Sequence, residues 1–489
     1  MAIAKGIDKV IRSISPKSLR FSSPKLIRFS RFMFFVSALF IIEYFFERRL
    51  LTRSLSQQVV LEVFLFLAIA SLRHQYLFAV LCVLSVNVSL YSSGTGIDLH
   101  ILLLLAAFFT SYRINRAVLV KYRTFSNFFI LGLLIYSLSG LRPGNVSKGL
   151  SLYLFAIILF LYCLTTYTRE YGLDKVLRIL FYGGTFGAWV GIAQHYSFLP
   201  KLPGAFDVSE ITITAFSGGV LNRLSGPIGD YELFGLSLTV TLLLGIELFL
   251  NNINRSKFRN FFWLINLSVL LWNIYLAGNR SSIYECFVFI PITILLNQRL
   301  RLSTKWITIA FLSLSMLLAF SIIRGNLLFA QRSRTGSGLL GLIQNRISIW
   351  NFFISDTQSS LIGNGFRPLY SPAAHNIWIT AFHDGGLIGV LGVFIVCISA
   401  LTASVKLVLS PERGFRILIV LTGCIIADNF IVEPQRTIAS LLLWSIFLYL
   451  PILAFYQDGS LDSFKLRDTF SSMKGSSSKR DLNFEISRR

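Results

Sequence analysis

The stretch GSGLLGLIQNRISIWNFFISDTQSSLIGNGFRPLYSPAAHNIWITAFHDGGLIG, running from Gly336 to Gly389, decides how this chain is read. It begins in the one long interval between strongly apolar runs and ends inside the next such run. Arg346 and Trp350 stand four residues apart, so on a helix they share a face, and the pattern RISIWNFF predicts an amphipathic segment lying along an interface. A Gly-Asn-Gly turn follows at Gly363 to Gly365. His375-Asn376 then opens the apolar run, and His383-Asp384 lies two turns further in, before Gly385, Gly386 and Gly389.

Outward from this stretch the chain is apolar. Of its 489 residues 54% are hydrophobic and only 14% charged, with a mean hydropathy of +0.66, which leaves too little polar surface for a water-soluble globular domain. Apolar runs of about 15 to 25 residues match helices crossing a hydrocarbon core roughly 30 Å thick, and the alternating pattern of a membrane barrel is absent. The expected spans are 32–47, 57–72, 75–92, 98–112, 125–139, 149–168, 175–194, 231–250, 261–278, 281–297, 306–323, 376–404, 415–432 and 437–455. The reading is an all-α polytopic membrane protein of about 12–14 transmembrane helices. It divides into a basic tail at 1–31, a bundle at 32–324 with a small outer loop at 195–230, a main outer loop at 325–375, C-terminal spans at 376–455 and a polar tail at 456–489. The first ~30 residues are basic and Ser-rich with no apolar centre, which reads as a tail and not as a cleavable signal.

A net charge of +23 can suggest nucleic acid, but its distribution follows membrane topology. With the N-terminus inside, 32 of the 46 Lys and Arg fall on the inner side, together with nine of the 23 carboxylates, so both termini are expected in the cytoplasm. Arg223, Arg280, Arg346, Arg367, His375 and Arg436 then all fall on the outer side. The five cysteines lie inside apolar runs without a CxxC pair and read as small core residues.

Each outer-side residue has two readings. Arg223, in LNRLSGPIGDYELFG, can hold a phosphate bidentately while Gly226 and Gly229 permit close backbone approach, or it can pair with Asp230 or Glu232 and anchor a helix. Arg280, in AGNRSSIYE, sits where a lone charge is costly unless a polar cavity, a headgroup or Glu285 receives it. Arg346 is a second phosphate candidate, and Trp350 is either a ligand contact or a headgroup anchor. The His375 imidazole can accept a proton from an attacking hydroxyl, hydrogen-bond an oxyanion, or cap the helix; Asn376 can orient it or bind sugar. His383 or Asp384 is an alternative base, while the neighbouring glycines suit close helix packing. Asp428 and Glu433 are placed to pair with Arg436. No nucleotide-binding glycine motif and no outer cluster with metal-ligand spacing is present, so neither metal nor cofactor is expected.

These pieces give the chain its resemblance. RLSGPIGDYELFG, GNRSS, the block from Arg346 through Trp350 to IGNG, and HNIWITAFHDGGLIG, in this order over roughly residues 220 to 395, resemble the O-antigen ligase and O-antigen polymerase superfamily of bacterial membrane glycosyltransferases. The resemblance implies a membrane glycosyltransferase fold of the GT-C type. It implies metal-independent, inverting transfer from a polyprenyl-diphosphate-linked glycan to a glycan or lipid acceptor at the outer face of the cell membrane. Carried onto this chain, Arg223, Arg280 and Arg346 are diphosphate ligands and His375 the base, with Asp230, Trp350, Asn376 and Arg367 on the substrate side. Membrane lipids are expected partners and nucleic acid is not. The rival reading is a transporter or flippase, suggested by the number of spans and by buried charges such as Glu62, Glu285 and Asp384.

Overall fold

The computed structural model describes residues 124–141, 148–199, 224, 226–228, 231–251, 257–325, 339–366, 374, 376–409, 415–430 and 441–455. The expected spans at 32–47, 57–72, 75–92 and 98–112 lie outside these residues, as do both tails. Among the described residues every regular element is helical: α1 (Thr124–Ser139), α2 (Lys148–Tyr171), α3 (Leu173–His195), a 3-10 turn (Gly226–Ile228), α4 (Tyr231–Leu250), α5 (Lys257–Ala277) and α6 (Arg280–Leu296). They continue with α7 (Leu302–Gly325), α8 (Leu339–Ser355), α9 (Ile377–Leu409), α10 (Ile417–Asp428) and α11 (Leu441–Phe455). Among the described residues, four helices are long and apolar enough to cross a membrane: Leu173–His195, Glu232–Leu250, Asn260–Ala277 and Ile377–Leu409.

An apolar surround offers no water to backbone or hydroxyl groups, and the packing reflects that constraint. Buried hydroxyls bond back to carbonyls one turn earlier: Thr185 to Phe181 at 2.8 Å, Thr241 to Ser237 at 2.7 Å, Ser404 to Ala400 at 2.8 Å and Thr422 to Leu418 at 2.8 Å. Between helices the same need produces specific ties. The Tyr449 hydroxyl lies 2.6 Å from Ser126 Oγ and 3.2 Å from Thr165 Oγ1, joining α11 to α1 and α2. Cys163, Cys286, Cys397 and Cys424 are buried free thiols, small core residues as their positions implied.

The closest helix pair is α1 with α9. A Cβ added at Gly132 would stand 2.8 Å from the Gly392 carbonyl, and one at Gly392 would stand 2.7 Å from Tyr136 N, so the two backbones meet through absent side chains.

The helix ends define two faces. At one, α1 meets the loop after α8, with Phe366 N donating to Gly140 O at 3.2 Å, and the Asn279 side chain, before α6, reaches the Glu232 carbonyl at the start of α4 at 3.2 Å. Ile377 N, at the start of α9, donates to Asn429 O at the end of α10 at 3.0 Å, and Asn429 Nδ2 also reaches Cys397 Sγ at 3.8 Å, because α9 doubles back at its Gly386 break. At the other, Lys406 Nζ lies 4.5 Å above the Phe125 ring and 5.6 Å above that of Phe455. Arg178, Arg299 and Arg416 also gather there around one cavity.

Candidate functional site

The site is built from α8, the loop that follows it and the first two turns of α9. Helix α8 turns one side inward, where Phe353 is buried and Arg346 and Trp350 are half-buried, and leaves Ile347, Phe352 and Ile354 exposed. Arg346 and Trp350 thus fall on one side of the helix, as their four-residue spacing implied. Trp350 Nε1 donates to Ala374 O at 2.9 Å, so the indole N–H is engaged by the chain itself and its ring face is what remains for a ligand.

Two residues on, Asn376 starts α9. Its Oδ1 accepts from the backbone N–H of Trp378 at 2.9 Å and of Ile379 at 3.3 Å, which is an N-cap, and Thr380 Oγ1 returns a bond to Asn376 O at 3.0 Å. The capping role considered for His375 therefore belongs to Asn376, and its side-chain oxygen is not available to orient an imidazole or bind sugar. His375 itself lies outside the described residues. The residues on either side of it are both held, Ala374 by Trp350 and Asn376 by the cap.

Arg346 is one turn before Trp350 on the inward side of α8. Its Nη1 is buried and has no hydrogen-bond partner among the described residues. A buried, unsatisfied donor on a charged group costs about 1 to 3 kcal/mol or more, so the position favours an acceptor that the protein does not supply.

Deeper in α9 the helix breaks. Gly386 adopts φ 60 and ψ −154, a conformation essentially restricted to glycine, and the loop after α8 docks into the gap. Asn364 N donates to His383 O and Gly365 N to Asp384 O, each at 2.7 Å; Leu387 N donates to Ser360 O at 2.8 Å and Ile388 N to Leu361 O at 3.3 Å. The broken turn of α9 thus finds its lost partners in the loop. Gly363, with φ 64, allows the approach, since a Cβ there would stand 2.5 Å from Gly386 N.

His383 pins the same loop. Its Nδ1 lies 2.9 Å from Asp384 Oδ1, and its Nε2 lies 3.1 Å from Asp356 Oδ2 and 2.9 Å from Asn364 Nδ2. His383 and Asp384 are each 2% exposed, and the Phe353 ring packs edge-on to the imidazole at 5.5 Å. With both ring nitrogens engaged by chain groups, His383 acts here as a clasp between loop and helix and offers no free nitrogen to a substrate. Asp356 and Asn364 are functional in this sense and were not singled out by sequence. Asp356 and Asp384 are the two carboxylates between Gly336 and Gly389, a signal that could have paired them with His383.

The remaining candidates are placed less completely. Arg280 is the first residue of α6, behind Asn279, whose Oδ1 accepts from Ser281 N at 3.2 Å as N-cap; the Arg280 side chain is outside the described residues. Arg223, Asp230, Arg367, Glu433 and Arg436 also lie outside them. Leu224, next to Arg223, donates its N–H to Leu276 O at 3.2 Å, at the end of α5 and just before α6. Residue 224 is therefore found at the end of the bundle where α5 ends and α6 begins. Asp428 is buried at the end of α10, near Glu285, whose Oε2 accepts from Cys424 Sγ at 3.7 Å; its expected partner Arg436 lies outside the described residues.

No group of three or more metal-ligating side chains suited to an ion occurs among the described residues. Compared with known proteins, the chain matches no family model, no curated protein and no solved structure.

Proposed function

We propose that this chain is a glycosyltransferase of the O-antigen ligase or polymerase type. It moves an oligosaccharide or polysaccharide from a polyprenyl diphosphate to a glycan or lipid acceptor at the outer face of the cell membrane, with both termini in the cytoplasm. In this reading the described helices are part of a GT-C type bundle of about 12–14 spans. The observation that carries the proposal is the buried, unpartnered Nη1 of Arg346, set one turn from Trp350, whose indole holds the residue immediately before His375.

The chemistry follows from that placement. The acceptor hydroxyl gives its proton to the His375 imidazole, and its oxygen attacks the anomeric carbon of the donor sugar from the side opposite the diphosphate. The anomeric C–O bond breaks with inversion, and the electron pair leaves with the diphosphate. Negative charge grows on the departing oxygens, where fixed guanidinium groups in a partly dehydrated pocket stabilise it without metal or cofactor. In this reading Arg346 supplies the open donor, and Arg280 and Arg223 supply the others.

The test uses membrane vesicles containing the protein and a lipid-linked glycan donor, with product read on gels. Arg346→Ala and His375→Ala are expected to lower transfer by about 10² to 10³, by analogy with removal of a single oxyanion donor. Undiminished transfer in both variants would remove the assignment.

A second reading, a transporter or flippase, draws on one observation. Glu232, Glu285 and Asp428 are all buried within the bundle, and Glu285 Oε1 and Asp428 Oδ1 lack partners among the described residues. Movement of a labelled lipid-linked glycan across the vesicle membrane without formation of a new glycosidic bond would favour it.

A further inference from the structure

The cavity at the opposite end of the bundle has a volume of about 330 Å³ and lies where α3 and α10 begin and α4 and α6 end. Sequence scatters its cations over more than 200 positions, but the fold brings Arg178, Arg299 and Arg416 to one wall. None of the three forms an ion pair among the described residues.

Two are oriented by uncharged acceptors instead. Arg299 Nη1 donates to Asn251 O at 2.6 Å. Arg416, with the Gln298 amide oxygen turned toward it, donates to that oxygen from Nε at 2.9 Å and Nη2 at 3.1 Å. Each guanidinium is thereby fixed on one edge and keeps N–H groups on the other. Arg178 makes no hydrogen bond among the described residues.

The acids on the same wall, Asp174 and Glu247, offset this charge only in part: Glu247 lies near Arg299 and Lys305, and two carboxylates face three guanidinium groups. Glu247 is already engaged, its Oε1 accepting from Asn251 Nδ2 at 3.0 Å and its Oε2 from Asn297 Nδ2 at 2.9 Å. Asp174 lies exposed at the rim. Two helix N-termini and two C-termini meet here, so their dipoles oppose one another and the guanidinium groups set the preference. Planar guanidinium forks match the oxygens of a phosphate, and Leu248, Leu296 and Phe415 add apolar wall beside them.

We propose that this cavity is a binding site for a phosphate-bearing anion, separate from the site at α8 and α9. The anion is the headgroup of an acidic phospholipid or a soluble phosphate; basic pockets between membrane helices take the first of these.

The test uses the full-length protein in nanodiscs of phosphatidylcholine, with phosphatidylglycerol titrated into the lipid in one arm and inorganic phosphate into the buffer in the other. Binding is read as a rise in the thermal unfolding midpoint. Arg178→Gln should weaken the effective ligand about tenfold or more, since it removes hydrogen bonds to a charged partner, and Arg178→Lys should restore part of the loss. Lys175→Gln, on the exposed side of the same helix, should change nothing. A response to phosphatidylglycerol that Arg178→Gln abolishes supports the site with a lipid source, and the same result with phosphate supports it with a soluble one. No response to either ligand, or a response that Arg178→Gln leaves intact or Lys175→Gln weakens equally, overturns it. Arg178 has no described partner to lose, so its variants should fold; Arg416→Gln, read in the same way, provides an independent check.

Discussion

Gly386→Ala is expected to release the loop after α8 from α9 while the bundle stays folded. Alanine at φ 60 and ψ −154 carries roughly 1 to 3 kcal/mol of backbone strain, and its Cβ would collide with the Leu361 backbone. The chain can relieve both penalties by letting the loop go. Undocking sacrifices the four backbone bonds that join 360–365 to 383–388 and the His383 contacts to Asp356 and Asn364, at about 0.5 to 1.5 kcal/mol each, or some 3 to 9 kcal/mol in all. The strain offsets a sizeable part of that sum, so the variant should populate an undocked state far more than the native protein does. Amide hydrogen exchange in nanodiscs reads this directly. The N–H groups of Asn364, Gly365, Leu387 and Ile388 should exchange at least tenfold faster in the variant, while those of α4 and α5 keep their native rates. Native protection at those four amides would refute the docking as described, and loss of protection throughout the bundle would refute its local character.

Further expectations rest on single contacts. Asn376→Ala should destabilise α9 by about 1 kcal/mol through loss of the cap, and Asn376→Ser should recover most of it; transfer activity that tracks stability across both variants would confirm capping as its role, and activity lost in Asn376→Ser would contradict it. Asp384→Ala removes a buried partner of His383 and should lower stability by about 1 to 3 kcal/mol, read by thermal unfolding; a change below about 0.5 kcal/mol would show that the clasp adds little. Gly392→Leu should separate α1 from α9 and cost several kcal/mol, roughly 3 or more, because the backbones leave no room for a side chain; normal yield and midpoint would count against the contact.

Helix positions were legible because each apolar run is bounded by charge, and charge cannot enter an apolar slab cheaply. The runs read at 231–250 and 175–194 correspond to Tyr231–Leu250 and Leu173–His195. The interval at 376–404 was read as one unusually long span, and the break at Gly386 was missed, since hydropathy carries no information on backbone dihedrals. Its excess length and the Gly385-Gly386 pair were the available hints. In sequence Gly385, Gly386 and Gly389 point to close helix packing over ligand contact, whereas in the fold Gly386 is where a loop enters the helix. The candidate site was legible only in part. Arg346 and Trp350 could be assigned to one helical face, but a tie between Trp350 and Ala374, or between Asp356 and His383, joins residues more than 20 apart and depends on how the loop folds back. The meeting of Glu285 with Asp428 and the convergence of Arg178, Arg299 and Arg416 are tertiary facts of the same kind.

Asn429 ties helices together inside the bundle in a way that limits how they can move. Its carbonyl receives the first N–H of α9, its Oδ1 receives Trp444 Nε1 at 2.9 Å, and its Nδ2 reaches Cys397 Sγ at 3.8 Å. One side chain and its backbone thus act as a rivet through three helices. Any rocking that parted α9 from α10 here would have to shear both links to α9, roughly 1 to 3 kcal/mol on each stroke, and a machine built to cycle would carry that load every time. A frame that stays still while substrates come and go carries none of it.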